Sequence, residues 1–528
     1  MSRFRRAFFA TCAAGAVLVA CQSNASVPSG IAVRQASAAA PVPIHFTGAR
    51  PSYAWRTYGG IKRLISFPTA IQRVVVISME NRTVDDLFAG YYGQAWHGFG
   101  GGRWQDRKNM DLYNPRSLPT LQPNGLSAHF SLNHDHEAGW GPESAGHWKE
   151  EPIICRDPPC PRTDTPFSYA PTSDTSIYAF LVENWAFANN VLQANEGPSF
   201  VAHQYLIAGQ SGGIPGSRSA PYAEAENPKE TSGCNPPGHH ITSINMSLPV
   251  PSSGPLDNGR PVSTCEEYQN TILDEITAAQ RGRALEDWQY IAYSDTSIWA
   301  APLGVQHLWD QYNGDPSKGK EPFAVDPDAF NFVRNIARRR GRAPKPIRPF
   351  ASLTYITPCE HESDHPELSL SDDGPQWLAW VINAIGESQY WPATTIIVTW
   401  DDWGGFFDHV PPAPRVARPP HNKYDNAADP NEWGFRVPLI VISPYVKARG
   451  YVSNRTRSGF TYRSQSVILQ YVEATFGLSA LGTDDYQNGQ RDALRDVFDF
   501  SRSPLPYVPI STTYQPGPVG SCPPVRPH

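Results

Sequence analysis

Two short acidic segments offer the plainest chemistry in the chain. Glu80-Asn81 and Asp401-Asp402 together supply three carboxylates and an amide oxygen, hard donors of the kind that hold a divalent cation. Crowded carboxylates repel one another, and a shared cation removes that repulsion. It also polarises an oxygen of a bound substrate and lowers the pKa of a neighbouring hydroxyl. Read separately, each pair equally fits a helix cap or half of a salt bridge.

A hydroxyl is available in Asn195-Glu196-Gly197-Pro198-Ser199, where a Gly-Pro turn delivers Ser199 to the start of the apolar run Phe200-Val201-Ala202-His203. The first turn of a helix leaves backbone N–H groups without intrahelical partners and so attracts anions. A serine there can act as a nucleophile on an anion already held, or simply as an N-terminal cap. Histidines that could stabilise charge or move a proton are His134 and His136 in Asn133-His134-Asp135-His136, His365 in Ser363-Asp364-His365-Pro366, and His409 in Asp408-His409-Val410. Trp403, beside Asp402, and with it Trp140, Trp148 and Trp433, could face a quaternary ammonium or pack in the core.

These residues need a scaffold that converges them. Arg73 to Met79 is a continuous β-branched run of the type buried on both faces of a parallel sheet, and Glu80-Asn81 follows directly. Thr394 to Trp400 is a second such run, ending in Asp401-Asp402. Val437 to Ser443 and Phe350 to Ile356 are further strand candidates. Helices are predicted at Ser176 to Ala188, Phe200 to Ala208, Asn270 to Gln280, Phe330 to Arg340, Gln376 to Ile385 and Gln465 to Phe476, the last closed by Gly477. The alternation predicts an α/β fold: a mostly parallel central sheet, helices on both faces, and long loop insertions. Sites in such sheets lie at the carboxyl ends of strands, where both acidic segments fall.

Composition sets the context. The 528 residues carry a net charge of −6, which gives no diffuse positive field for nucleic acid, and no nucleic-acid partner is expected. The basic run Arg338-Arg339-Arg340-Gly341-Arg342 reads as a solvated helix end. Abundant glycine and proline, 41 and 52 residues, imply long irregular connections. Arg3, Arg5 and Arg6 precede an apolar stretch from Ala7 to Ala20, an export signal too short to span a bilayer comfortably. Leu18-Val19-Ala20-Cys21 resembles a bacterial lipoprotein box, with Cys21 the acylated residue and membrane anchor. Cleavage after Ala25 is the alternative. Setting aside Cys12 and Cys21 leaves Cys155, Cys160, Cys234, Cys265, Cys359 and Cys522, an even set suited to disulfides whose pairing is not deducible. The predicted organisation is a signal peptide with lipobox over 1–21, a flexible tether over 22–68, a catalytic domain over 69–515 with an insertion or lid at 209–264, and a tail over 516–528.

The motifs resemble, in order, those of the phosphoesterase family of bacterial phospholipases C and acid phosphatases, related in fold to alkaline phosphatases. They are Glu80-Asn81-Arg82-Thr83-Val84-Asp85, then Gly197-Pro198-Ser199 leading to Tyr205-Leu206-Ile207-Ala208-Gly209. Ser363-Asp364-His365-Pro366 follows, then Thr399-Trp400-Asp401-Asp402-Trp403-Gly404-Gly405 running on to Asp408-His409-Val410-Pro411-Pro412, and finally Arg436-Val437-Pro438. The resemblance implies one divalent metal ion on Glu80, Asn81, Asp401, Asp402 and the nucleophile Ser199, with His134 and His365 on the phosphate. It also implies a supporting or acid role for His409; Asp364, beside His365, and Trp403, beside Asp402, are the candidate further substrate contacts by their neighbours. The expected reaction is hydrolysis of a phosphate ester, with phospholipids among the candidate substrates. Asp86 stands where the family commonly has histidine, and Asp401-Asp402 where phospholipases C have Asp-Glu. Those departures leave mono- and diester substrates open, and His307 is only a weak candidate for a further phosphate contact. A non-catalytic lipoprotein that binds head groups on a degenerate version of this fold is the alternative of another class.

Overall fold

The computed structural model describes residues 54–58, 61–65, 70–92, 121–127, 130–135, 139–140, 143, 148, 153–155, 165–211, 223–225, 234, 240–245, 257–263, 270–280, 287–294, 297–313, 323–326, 329–337, 350–368, 373–410, 412, 433–453, 462–484 and 492–516. The chain divides into residues 1–49 and 50–528, and every described residue belongs to the second unit. The expected export signal, Cys21, the basic run after Ala337 and residues 517–528 lie outside the described residues, as do Cys160, Cys265 and Cys522.

The centre is an eight-stranded sheet. In chain order its strands are β1 (Arg73–Met79), β2 (Ala186–Ala188), β3 (Trp288–Ala292), β4 (Phe323–Val325), β5 (Leu353–Ile356), β6 (Thr394–Trp400), β7 (Leu439–Ile442) and β8 (Tyr451–Ser453), arranged β4-β3-β5-β1-β6-β7-β2-β8. All neighbours are parallel except at β7, which runs against both β6 and β2. β1 and β6 are buried along their whole length, as continuous Val/Ile runs require when both faces are covered. The helices fall into two groups that pack within themselves. Val84–Tyr92, Thr172–Asn184, Phe330–Ala337 and Asp373–Gly386 form one; Ser199–Ala208, Ile272–Gln280 and Val467–Phe476 form the other. This is the expected α/β arrangement, a mostly parallel sheet with helices on both faces.

Four departures have physical causes. The helix expected from Ser176 runs from Thr172 to Asn184, begun by Pro171, and the chain then extends because Ala186–Ala188 is taken up as β2 between β7 and β8. Strands β3, β4 and β8 were not predicted, being short and without a long β-branched run. Within the segment expected to be a featureless tether, Ala54–Tyr58 and Ile61–Ile65 pair as an antiparallel hairpin. Inside the 209–264 insertion, Ala223–Ala225, His240–Asn245 and Asp257–Ser263 make their own antiparallel sheet, separate from the main one. Among the described residues no helix is long and apolar enough to cross a membrane.

The last described segment is tied to the helix Asp373–Gly386 through one asparagine. Asn383 Nδ2 donates to the Ile510 carbonyl at 2.8 Å, and its Oδ1 accepts from the Ile510 N–H at 2.9 Å and from Tyr507 Oη at 2.8 Å. Asn383→Ala leaves those groups without their partner, so it should lower unfolding free energy by about 1–3 kcal/mol in urea denaturation with the slope unchanged. An unaltered midpoint would show that the segment is held by apolar packing alone.

Candidate active site

Register is what brings the acidic segments together. Trp400 pairs with Met79 at the end of the parallel β1–β6 ladder, so Glu80-Asn81 and Asp401-Asp402 emerge side by side at the carboxyl edge. The ladder continues one step further, with the Asp401 N–H donating to the Met79 carbonyl at 2.9 Å. Asn81 adopts a left-handed conformation, φ 58°, which asparagine tolerates, and its N–H donates to Asp401 Oδ1 at 3.0 Å. Gly404, φ 63°, lies so close that a Cβ there would sit 2.3 Å from the Asn81 carbonyl oxygen. Glycine is required on both counts.

Each carboxylate has one oxygen held by the protein and one turned elsewhere. Glu80 Oε1 lies 2.8 Å from His203 Nε2, while Oε2 is buried with no hydrogen-bond partner among the described residues. Asp401 Oδ1 accepts from Asn81, and its Oδ2 is likewise unpartnered among them. Asp402 Oδ1 accepts from the Gly404 N–H at 2.8 Å, and its Oδ2 faces the Ser199 hydroxyl at 3.2 Å. All three groups are fully buried.

Burial, then repulsion from Asp401 and Asp402, raises the Glu80 pKa well above its ordinary value. Asp401 is pushed up to about 6 by burial and then by Asp402, and Asp402 to about 7 mainly by burial. Without a cation such a cluster must share protons. The orphaned oxygens and the all-oxygen donors fit a divalent cation, which would take the place of those protons.

Ser199 is the first residue of the helix Ser199–Ala208, all ten residues of which are buried. The preceding turn is tied by Asn195 Oδ1, which accepts from the Gly197 N–H and from Gln193 Nε2, both at 2.9 Å. Ser199 Oγ also lies 3.4 Å from Asn81 Oδ1. His134 completes this wall. Its Nδ1 is 2.8 Å from the Leu132 carbonyl, which can only accept, so Nδ1 carries the proton and Nε2 faces Asn81 Nδ2 at 3.0 Å. His134 Nε2 is 3.8 Å from Asp402 Oδ2. The His365 ring lies 6.5 Å from that of His134, with its Nδ1 2.6 Å from the Pro366 carbonyl. Glu80, Asn81, Ser199, Asp401, Asp402, His134 and His365 therefore converge as expected from the sequence.

Other expected residues are placed elsewhere. The Asp364 carboxylate points away, accepting from Tyr178 Oη and from Trp400 Nε1 at 3.0 Å, and a Cβ on Gly374 would collide with it. Through its Oδ2 it braces the loop that carries His365. Trp403 is fully buried against Trp148, Phe407 and Phe435, with Trp140 in the same cluster and Trp433 in another, so these indoles are packing and form no cation cage. His409 belongs to a second polar cluster: its Nδ1 lies 2.8 Å from Asp85 Oδ2, while the Arg436 guanidinium bonds Asp85 at 2.9 Å and Asp408 at 3.1 Å. Asp85, Asp408 and His409 also have metal-like spacing, but Arg436 already supplies the cation there. His307 pairs with Asp274 at 3.0 Å across two helices, apart from the acidic cluster. Asp86, at the position usual for histidine, is the partner of Arg82 at 3.0 Å.

Sequence reading missed His203. It lies four residues after Ser199, the spacing that puts two side chains on one helix face. That spacing was the available signal.

Residues 349–479 match the Phosphoesterase family. The chain is 28% identical over 205 residues to phospholipase C A of Mycobacterium tuberculosis, covering 36% of each chain. It is 25% identical over 230 residues to non-hemolytic phospholipase C of Pseudomonas aeruginosa, covering 39% of this chain and 32% of that one. The matched part is thus about a third of the length of these relatives. Among solved structures, a protein in the alkaline phosphatase superfamily from Vibrio parahaemolyticus aligns over 60% of this chain and 65% of its own, with 11% identity and a TM-score of 0.29.

The site carboxyls have folded-state pKa values above the ordinary carboxylate value. Between pH 3.8 and about 7 the cation-free folded chain therefore holds a proton at Asp402 that the unfolded chain has released. Stability should fall as pH rises through that window. Melting curves in chelator should show this, and the gain from added divalent cation should grow from low to neutral pH. A cation effect independent of pH would count against a proton-for-cation exchange.

Proposed function

We propose that this protein hydrolyses phosphate esters through Ser199, with a divalent cation held by Glu80, Asn81, Asp401 and Asp402. The observation that carries the reading is the hydroxyl of Ser199 set 3.2 Å from Asp402 Oδ2, at a helix N-terminus, beside buried carboxylate oxygens that lack a hydrogen-bond partner among the described residues. Such a cation supplies positive charge to phosphoryl oxygens and lowers the pKa of the serine hydroxyl. The family match and the phospholipase C relatives support the same reaction class.

Ser199 Oγ attacks phosphorus in line with the ester oxygen, giving a phosphoserine and a free alcohol; water then attacks that phosphoserine and releases phosphate or a phosphomonoester. Before attack the Ser199 proton points at Asp402 Oδ2, the nearest acceptor. His134 presents its unprotonated Nε2 toward the Asn81 amide, and on protonation the same nitrogen can donate to a phosphoryl oxygen. His365 stands beside His134 with its Nδ1 at the Pro366 carbonyl, near enough to the cluster to meet the substrate or its leaving group. The substrate we favour is a phosphodiester of the phospholipid head-group type, after the phospholipase C relatives, on a protein exported by its N-terminal signal. Lipidation at Cys21 and disulfides among the remaining cysteines belong to the same proposal.

The test is hydrolysis of p-nitrophenylphosphorylcholine beside p-nitrophenyl phosphate, with chelator and with added divalent cation. Chelator-sensitive turnover of the diester should fall by about 1,000-fold or more in Ser199→Ala. Turnover confined to the monoester would make the protein a phosphatase, and equal activity in Ser199→Ala would remove the nucleophile assignment. Binding of choline head groups without turnover of either ester would favour the lipoprotein alternative.

A further inference from the structure

Two of the three site carboxylates are oriented by backbone donors: Asn81 N–H holds Asp401 Oδ1, and Gly404 N–H holds Asp402 Oδ1. Glu80 has no such backbone donor on its side chain among the described residues. Its Oε1 is instead met by His203 Nε2 at 2.8 Å, and the unpartnered Oε2 is left for a cation. We infer that His203 is a positioning residue, an Nε2–H donor that fixes the Glu80 carboxylate for the cation, and is not itself a cation ligand. The inference rests on the divalent-cation reading given above.

Spacing alone would permit the opposite. Glu80, His203 and Asp401 lie close enough together to bind one ion through three side chains. The other ring nitrogen decides the matter. His203 Nδ1 is buried and has no hydrogen-bond partner among the described residues. If Nε2 bound a cation, the proton would have to sit on Nδ1 as a buried, unmade donor, which is the rarer and costlier kind of orphan. A metal-bound histidine almost always passes that N–H to a carboxylate or carbonyl. With the proton on Nε2, the bare Nδ1 is only an unused acceptor.

The ring's plane is set from the side. Trp299 stacks on His203 at 6.4 Å and 22°, and also on His365 at 6.1 Å and 28°. Tyr290 Oη donates to the Trp299 carbonyl at 2.6 Å, which anchors the indole to β3. Placement of Glu80 is thus relayed from a strand two places away in the sheet order, through an indole and an imidazole, to the cation side of the carboxylate.

The experiment is calorimetric titration of Mn2+ into the full chain, His203→Ala and His203→Gln, with electron spin-echo envelope measurement of directly bound nitrogen on the Mn2+ complexes. Glutamine carries an N–H donor at nearly the reach of Nε2. The expected result is about 10- to 100-fold weaker Mn2+ binding in His203→Ala, restoration toward wild type in His203→Gln, and no 14N coupling that the substitutions remove. A directly bound nitrogen signal lost in both variants would overturn the donor assignment and make His203 a ligand. Unchanged affinity in His203→Ala would overturn the positioning role while leaving the cation reading intact. A wild-type chain that takes up no Mn2+ would overturn both. Should His203→Ala fail to fold, the glutamine variant and the wild-type spectrum decide between donor and ligand.

Discussion

Three carboxylates confined where water does not reach them are the constraint on which this structure turns. Desolvation and mutual repulsion both oppose their ionisation, and no amount of apolar packing relieves that. The fold relieves it by geometry. A parallel ladder in strict register delivers Glu80 and Asp401 at one level, a left-handed Asn81 turns its N–H onto Asp401, and Gly404 keeps the turn clear of a side chain. The apolar runs of β1 and β6 thus serve as the ruler that sets distances between charges.

A second buried acidic cluster a short way along the same loop shows the contrasting solution. Asp85 and Asp408 are joined by the guanidinium of Arg436, which reaches both and also donates to Asn189 Oδ1 at 2.8 Å. There the counterion is covalently part of the chain, so the cluster is permanent and structural, knitting the helix after the first motif to the segment before β7. Among the described residues the Glu80 cluster has no arginine or lysine partner; its basic neighbour is the imidazole of His203. The chain has therefore put a fixed cation in one acidic cluster and withheld it from the other, as the proposed exchangeable cation requires of a site and not of a brace.

Much of this could be read from residue order. Long β-branched runs announced β1 and β6, and because the acidic residues follow them directly, their convergence came with the sheet. Short strands were not legible: Ala186–Ala188 has strand character only because β7 and β8 flank it, and Trp288–Ala292 mixes residue types without a clear period. Among site residues, Trp403 and Asp364 were misjudged for one shared reason. Adjacency in sequence to Asp402 or His365 says nothing of side-chain direction at a sharp turn, and Asp364, at φ 73°, gives its carboxylate to Tyr178 and Trp400. His203 was hidden by the reverse error, since a buried histidine on an apolar helix reads as packing until the strand end facing it is known.

The pairing of Asn81 with Asp401 closes a loop of 320 residues. A chain made from its N-terminus onward therefore carries Glu80 and Asn81 as solvated, independent side chains throughout most of its synthesis. Contacts this distant in sequence form late and slowly. Any compartment that the first half of the chain crosses before the second half arrives has no assembled pocket in which to load an ion. If the proposed cation is bound, its selection falls to wherever β6 finally docks beside β1, so the place of folding, as much as the set of donor atoms, would decide which metal is loaded.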